Sequence, residues 1–185
     1  MNRKEVRPMD YVYHYASPLG GMTLRSDGHA LTGLMFDGEK YFEETIDSRS
    51  ADTELPAFAE TVRWLDTYFS GKDPGFLPPI ALHTTPFRQD VCEIMLTIPY
   101  SKTMTYGQIA DIIAQRRGVR RMSAQAVGGA VGHNPISLII PCHRVIGTSG
   151  SLTGYGGGID KKIKLLELEG TDMKGLFVPS KGTAL

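Results

Sequence analysis

The sequence predicts two successive parts: a small α/β domain with an antiparallel sheet and one helix, then a mostly α-helical domain with a helix-turn-helix of the winged-helix kind. Alternating polarity and glycine turns fill the first third, and helical periodicity follows the Pro- and Gly-rich stretch "GKDPGFLPP". The charge also changes sign there, since residues 1–84 carry 8 Lys and Arg against 13 Asp and Glu, and residues 85–185 carry 12 against 7. We therefore expect domains at 1–80 and 81–170, with a flexible tail at 171–185.

The first domain is expected to begin with strands. "YVYHYA" alternates in polarity, and the Asp-Gly pairs at 27–28 and 37–38 are typical of hairpin turns, which predicts a hairpin or a three-stranded meander. A helix is predicted from Pro56 to a stop at Gly71. Its apolar stripe, which should cover one face of the sheet, consists of Phe58, Val62, Leu65 and Phe69.

The second domain is expected to contain a helix-turn-helix. Its first helix starts at Thr85 and Pro86, and Cys92 inside it is interpreted as a core residue. The next helix opens with the capping box Thr105 and Gln108, and a short helix in "MSAQAVGGAVG" follows a basic turn. The arginines of that turn indicate either a solvated surface or a polyanion contact; they are Arg116, Arg117, Arg120 and Arg121.

The short helix has almost no side chain long enough to read base edges in a major groove. Two adjacent glycines each cost helix stability by roughly 1 kcal/mol, so something requires small residues there. One explanation is tight packing of the helix against its own domain. The other is close approach to a narrow surface such as the minor groove of DNA, with Gln125 as a probing side chain.

The composition limits the environment of the protein. Cys92 and Cys142 are the two cysteines, which gives no disulfide framework, and we expect a cytoplasmic protein. No segment approaches the roughly 18 apolar residues that a membrane span requires, so no membrane association is expected. The cysteines and histidines lack the spacing of a metal site, and none is expected.

The stretch "IIPCHRVIG" places Cys142 beside His143 after an apolar run. Neighbours in a strand point to opposite faces, so a direct dyad requires a sharp backbone turn, and a core cysteine beside a surface histidine is the simpler reading. The surroundings favour another reading. Pro141, the positive charge of Arg144 and the glycine-rich stretch at 147–158 could frame a thiolate of lowered pKa.

The segments "TYGQIA", "GHNPISLIIPCHRVIG" and "GSLTGYGGGIDKKIKLLELEG" closely resemble the O6-alkylguanine-DNA alkyltransferase family over about residues 80–170. The resemblance implies that Cys142 takes an alkyl group from O6 of guanine, forms a stable thioether and is consumed in one turnover without a cofactor. It implies that His143 acts as the base through a water. It also implies an orienting glutamate on the last helix, and on a helical wheel the apolar direction lies roughly 55° from Glu169 and 105° from Glu167, which favours Glu169.

The resemblance implies further roles. Asn134 would hold the turn around the cysteine, Tyr106 would hydrogen-bond the flipped base, and Val145 would contact the guanine edge. Pocket volume, and with it the range of alkyl groups, would depend on Tyr155, Gly156 and Ser137. Whether O4-alkylthymine is also accepted stays open.

The implied partner is duplex DNA that carries O6-alkylguanine, bound by a monomer through the minor groove with the damaged nucleotide flipped out. Gln125 stands where the family usually has an arginine that fills the gap in the base stack. Ser123 and Ala124 would lie against the DNA, and the four arginines of the turn would contact phosphates. Three alternatives remain: a non-catalytic lesion binder, a helix-turn-helix regulator and a thiol hydrolase.

Overall fold

The N-terminal half is built on a four-stranded sheet. The structure, a computed structural model, describes residues 10–39, 48–50 and 55–180. Strands β1 (Asp10–Ser17), β2 (Gly20–Ser26) and β3 (Leu31–Phe36) form the predicted antiparallel meander. A short strand β4 (Ser48–Ser50) extends it by pairing parallel to β1, which gives the order β3-β2-β1-β4.

Helix α1 (Pro56–Phe69) covers this sheet, as the apolar spacing predicts. Its buried face is rotated from the predicted stripe, because Val62 and Phe69 are only partly buried. Tyr68 is wholly buried in their place and stacks on Trp64 at 5.1 Å between ring centroids. The rotation turns a tyrosine of the N-terminal half toward the C-terminal half.

The C-terminal half contains four helices: α2 (Pro86–Leu96), α3 (Tyr106–Arg116), α4 (Ala124–Val131) and α5 (Ile159–Leu168). The first three begin at side chains that accept a hydrogen bond from the first turn, and α3 has the full predicted capping box of Thr105 and Gln108. Two-residue strands β5 (Met104–Thr105) and β6 (Val145–Ile146) pair in parallel. Cys92 lies in the core, as predicted.

The two halves share one buried apolar cluster and are joined through the open edge of β3. Leu31 exchanges backbone hydrogen bonds with residues 79–81, donating to Pro79 and accepting from Ala81. Leu34 donates to the carbonyl of Pro135 at 2.9 Å and accepts from the N–H of Ser137 at 2.7 Å. The sheet of the N-terminal half therefore positions the segment that leads to Cys142.

The segment after α5 is held against the glycine-rich stretch. Phe177 forms a bridge with Ser151, and its backbone exchanges hydrogen bonds with Gly150 and Leu152. The predicted tail at 171–185 is therefore paired with the fold over its described part, whereas 181–185 lies outside the described residues. Among the described residues, no helix is long and apolar enough to cross a membrane.

Candidate active site

Cys142 lies at the end of a tight turn organised by Asn134. The side-chain amide of Asn134 donates to the carbonyl of Ile140 at 2.7 Å and accepts from the N–H of Ile136 at 3.1 Å. Pro141, at φ −81° and ψ 65°, forms an inverse γ-turn, so that the N–H of Cys142 also reaches the carbonyl of Ile140 at 2.8 Å. Residues Cys142–Arg144 then form one turn of 3₁₀ helix. The reactive pair thus sits in a sharp turn, not in a strand.

The thiol of Cys142 is buried, with 6% of the residue exposed. Burial raises the pKa of Cys142 to about 11, although the hydrogen bond from Asn134 and the charge of Lys162 act in the opposite direction. The expectation of a thiolate with a lowered pKa is therefore wrong. At pH 8 roughly one such thiol in a thousand is ionised, so reaction through sulfur needs a base.

His143 is wholly buried beside Cys142 and is bound to Glu169. Its Nε2 lies 2.6 Å from Oε1 of Glu169, and because an ionised carboxylate only accepts, this nitrogen carries the hydrogen. Burial lowers the pKa of His143 below its usual range, against the opposing effect of Glu169, so the imidazole is neutral. Its other nitrogen, Nδ1, is buried and has no hydrogen-bond partner among the described residues. The lone pair of the neutral imidazole is therefore on Nδ1, the nitrogen that could accept a proton.

Glu169 is held by more groups than the sequence indicates. The guanidinium of Arg144 donates to both carboxylate oxygens, at 2.9 and 3.0 Å, the hydroxyl of Tyr68 donates to Oε1 at 2.8 Å, and the N–H of Ser101 donates to Oε2 at 3.1 Å. Burial raises the pKa of Glu169, but His143 and Arg144 outweigh burial and lower it to about 2. Glu169 is thus ionised and fixed in place.

Two of these partners change the sequence interpretation. The charge of Arg144 is paired with Glu169, so it supports the histidine and not the thiol. Tyr68, on α1, donates its hydrogen bond to Glu169 from 101 positions earlier in the sequence, so no local sequence pattern predicts that contact. Glu167 is exposed, in keeping with the choice of Glu169.

Two tyrosines of the predicted site, Tyr106 and Tyr155, lie near Cys142. The hydroxyl of Tyr106 donates to the carbonyls of Thr153 at 3.2 Å and Gly154 at 3.4 Å, and burial raises its pKa to about 12. The hydroxyl of Tyr155 is buried without a hydrogen-bond partner in the described part of the chain. Burial has the largest effect on the pKa of both tyrosines, and an ionised Cys142 would raise both pKa values further. Both hydroxyl groups are therefore near the thiol.

Both backbone polar groups of Val145 form hydrogen bonds within the protein. Its N–H donates to the carbonyl of Cys142, and its own carbonyl accepts from Nζ of Lys162 at 2.6 Å. The buried ammonium of Lys162 also donates to the carbonyl of Thr153 at 2.8 Å, and burial lowers its pKa to about 8. Lys162 thereby links β6, the strand after Cys142, to the glycine-rich stretch at 147–158. The sequence interpretation missed this contact.

Glu39 is a further pocket residue that was not predicted. It lies after β3, and its carboxylate accepts from the hydroxyl of Ser137 at 3.3 and 3.4 Å. Its oxygens also approach the backbone of Gly156 and Gly157. The N-terminal half therefore contributes one acidic side chain that contacts the predicted pocket residues Ser137 and Gly156.

The helix-turn-helix consists of α3, the basic turn and α4. Five residues on α4 or at its start are exposed: Ser123, Ala124, Gln125, Ala126 and Gly129. A side chain at Gly129 would meet no atom within 4 Å, so packing within the protein does not explain the glycine at this position, which favours close approach of an outside surface there.

The four predicted arginines divide into two pairs. Arg117 binds Asp90 of α2 at 2.6 Å, and Arg116 lies 3.6 Å from Glu93. Arg120 and Arg121 are exposed and make no ion pair within the described residues. Of the four arginines, these two therefore carry a charge that no carboxylate of the described residues neutralises, and that could bind a polyanion.

A buried cysteine beside a carboxylate-bound histidine, next to an exposed helix-turn-helix, defines a protein with a nucleophilic thiol and a nucleic-acid-binding type of fold. Two family models match the chain: the 6-O-methylguanine DNA methyltransferase ribonuclease-like domain over residues 11–82 and the DNA binding domain of the same family over residues 86–171. The chain belongs to the 6-O-methylguanine DNA methyltransferase family.

Relatives cover most of the chain. The methylated-DNA–protein-cysteine methyltransferase of Mycobacterium tuberculosis strain H37Rv is 48% identical over 155 residues, which is 83% of this chain and 88% of that protein. The protein of the same name from Methanosarcina acetivorans is 40% identical over 87% of this chain and 99% of its own length. A crystal structure of Mycobacterium tuberculosis OGT in complex with DNA matches with a TM-score of 0.77 at 42% identity, covering 86% of this chain and 93% of that one.

Proposed function

We propose that this protein repairs DNA by direct reversal, moving an alkyl group from O6 of guanine in duplex DNA to Sγ of Cys142. The observation that carries the proposal is the buried assembly of Cys142, His143 and Glu169, in which a neutral imidazole is oriented by an ionised carboxylate. The activity in the names of the relatives, methylated-DNA–protein-cysteine methyltransferase, is one that such a thiol can perform. Displacement at a saturated carbon requires a soft nucleophile, which sulfur supplies.

The transfer starts from the neutral thiol. The proton of Cys142 passes through a water to Nδ1 of His143, whose Nε2–H is already bound to Glu169. The imidazolium that forms is stabilised by the charge of Glu169, and Arg144 and Tyr68 keep that carboxylate in position. Deprotonation and attack are thereby coupled, which compensates for the high pKa of the thiol.

The bond changes balance without a cofactor. A bond forms between Sγ and the alkyl carbon, the bond between that carbon and O6 breaks, and its electron pair stays on the guanine. The guanine then takes up the proton that His143 accepted from the thiol, which returns the imidazole to its neutral form. Tyr106 would stabilise the departing base by exchanging its hydrogen bonds to Thr153 and Gly154 for one to the base. The alkylated sulfur is a stable thioether, so we propose one turnover for each protein molecule.

Because the thiol is buried, the alkylated guanine must move out of the duplex to reach it. The O6 substituent lies in the major groove, whereas Cys142 is 6% exposed, so the nucleotide must leave the stack at a cost of a few kcal/mol. The exposed small-residue face of α4 lets the helix approach a minor groove, and Gln125 on that face would fill the vacated position. We further propose that the protein acts as a cytoplasmic monomer on duplex DNA.

Mass mapping after reaction with a duplex that contains O6-methylguanine tests the proposal. The expected result is one methyl group per molecule, on the peptide with Cys142, which disappears in Cys142→Ala and persists in the control Cys92→Ala. Multiple turnovers, as for a thiol hydrolase, or binding without methylation, as for a regulator or a lesion binder, would overturn it.

A further inference from the structure

Glu39 reaches from the N-terminal half to the wall of the pocket. It stands in the turn after β3, where its N–H donates to the carbonyl of Phe36 at 3.1 Å and closes the turn. Its side chain extends to Ser137, whose hydroxyl donates to both carboxylate oxygens at 3.3 and 3.4 Å. Ser137 is 2% exposed and stands five positions before Cys142. The contact therefore lies inside the molecule, on the reactive segment.

The same carboxylate packs against backbone of the glycine-rich stretch. A Cβ at Gly156 would lie 3.4 Å from Oε2 of Glu39, and one at Gly157 would lie 3.2 Å from Oε1. The Cβ at Gly157 would also meet the ring of Tyr155 at 2.9 Å. The glycines thus leave room for the carboxylate and the tyrosine ring.

The charge of Glu39 affects the pKa of the Cys142 thiol. After burial, which has the larger effect, Glu39 is among the groups that raise the pKa of both Cys142 and Tyr155. The cation that faces Glu39 is Lys161 of α5, which lowers the pKa of the carboxyl against burial. Burial still raises that pKa to about 7. A group that is partly ionised near neutral pH therefore lies close enough to Cys142 to influence the pKa of its thiol.

We propose that Glu39 is a specificity-determining residue, through which the N-terminal half limits the size and the charge of the O6 substituent that can reach Cys142. The inference rests on the proposed alkyl transfer. The carboxylate lies between Ser137 and Gly157, beside the positions predicted to set the pocket volume, so we expect it to obstruct a bulky substituent more than a methyl group. Its negative charge acts separately, by opposing a substituent that is itself an anion.

The test compares three substituents on O6 of guanine in the same duplex: methyl, benzyl and the anionic carboxymethyl group. Rates of alkylation of Cys142 are measured by mass for each, and every rate is divided by the methyl rate of the same variant. The division removes any general loss of activity or stability. Glu39→Ala removes size and charge, Glu39→Gln removes only charge, and Glu167→Gln on the exposed side of α5 is the matched control.

Glu39→Ala is expected to raise the benzyl ratio by about tenfold or more, the usual scale for relieving a steric limit in a pocket. Glu39→Gln is expected to leave the benzyl ratio within about twofold and to raise the carboxymethyl ratio by about tenfold at pH 8, where the carboxylate is mostly ionised. Glu167→Gln is expected to change neither. Ratios that stay unchanged in both Glu39 variants would overturn the inference, whereas failure of the wild type to become methylated would overturn the proposed function instead.

Discussion

His143 and Glu169 are joined by a hydrogen bond of 2.6 Å between two side chains that are wholly shielded from solvent. The ring is thereby fixed in one tautomer, with Nδ1 left for the proton of the thiol. The carboxylate also neutralises Arg144, so one group would serve the proposed reaction and the stability of the protein at once.

Replacing Glu169 by Gln should impair both. Because the His143 imidazolium loses its counterion, we expect methyl transfer to slow by about 100-fold, within the range for general base catalysis. Because Arg144 is left buried without a partner charge, the free energy of unfolding should fall by about 3 kcal/mol. Single-turnover kinetics and urea unfolding measure the two effects. Glu167→Gln, which changes an exposed carboxyl on the same helix, should alter neither, and an unchanged transfer rate in Glu169→Gln would remove Glu169 from the mechanism.

The pH dependence of transfer should show which group deprotonates the thiol. Burial holds the pKa of His143 below 6.5, so the imidazole is free to accept a proton above that pH, and the wild-type rate should be nearly level between pH 7 and pH 9. In His143→Ala the reaction must wait for the free thiolate of Cys142, whose pKa is about 11, and the residual rate should rise about tenfold per pH unit over the same range.

Rates measured at several pH values in one buffer series test this difference. His29→Ala, which removes an exposed histidine, should keep the level wild-type profile. A wild-type rate that rises as steeply as that of His143→Ala would mean that His143 is not the base.

Gln125 offers a test of base extrusion. Replacing it by Arg adds a planar cation on the exposed face of α4, and we expect about tenfold tighter binding to damaged duplex together with faster transfer. Binding is measured with Cys142→Ala as background, so that no reaction intervenes. Gln115→Arg adds the same charge at the end of α3 and should tighten binding without accelerating transfer. Equal transfer rates in Gln125→Arg and the wild type would show that this position does not limit flipping.

Arg120 and Arg121 should dominate the salt dependence of DNA binding. Each phosphate contact contributes a slope of about −0.9 to log K against log salt, so the double change to Ala should make the slope shallower by about 1.8. Titrations of unmodified duplex between low and moderate salt give this slope. Lys164→Ala, which removes an exposed charge from α5, should leave it unchanged, and the same constancy in the double variant would place the DNA elsewhere.

Local patterns predicted the helices and the meander because their signals are short-range. The capping box of Thr105 and Gln108 and the N-cap of Thr85 act within one turn, and the structure contains both. Strand β4 has three residues and no alternation to detect, so it escaped prediction. The stripe on α1 was placed too far toward Val62 and Phe69, because Tyr68 is buried by contacts with the C-terminal half, among them Glu169 and Tyr100, which periodicity within the helix does not show.

The site was predictable only where residues lie close along the chain or match the family motif. Cys142, His143 and Asn134 belong to one short stretch, and Glu169 could be chosen from helical geometry. Tyr68 and Glu39 could not, because their contacts with Glu169 and Ser137 span 101 and 98 positions. The pKa of Cys142 was misjudged because neighbouring positive charge was weighed and the burial of the thiol was not.

The backbone pairs along β3 have a consequence for self-association. An unpaired strand at the edge of a sheet is a template on which a second chain can add. Here the N–H and C=O groups of Leu31 and Leu34 are occupied by residues 79–81 and 135–137, so the segment that leads to Cys142 also closes part of this edge. A substitution that loosens the reactive turn would thus uncover an aggregation-prone strand as well as disturb the chemistry.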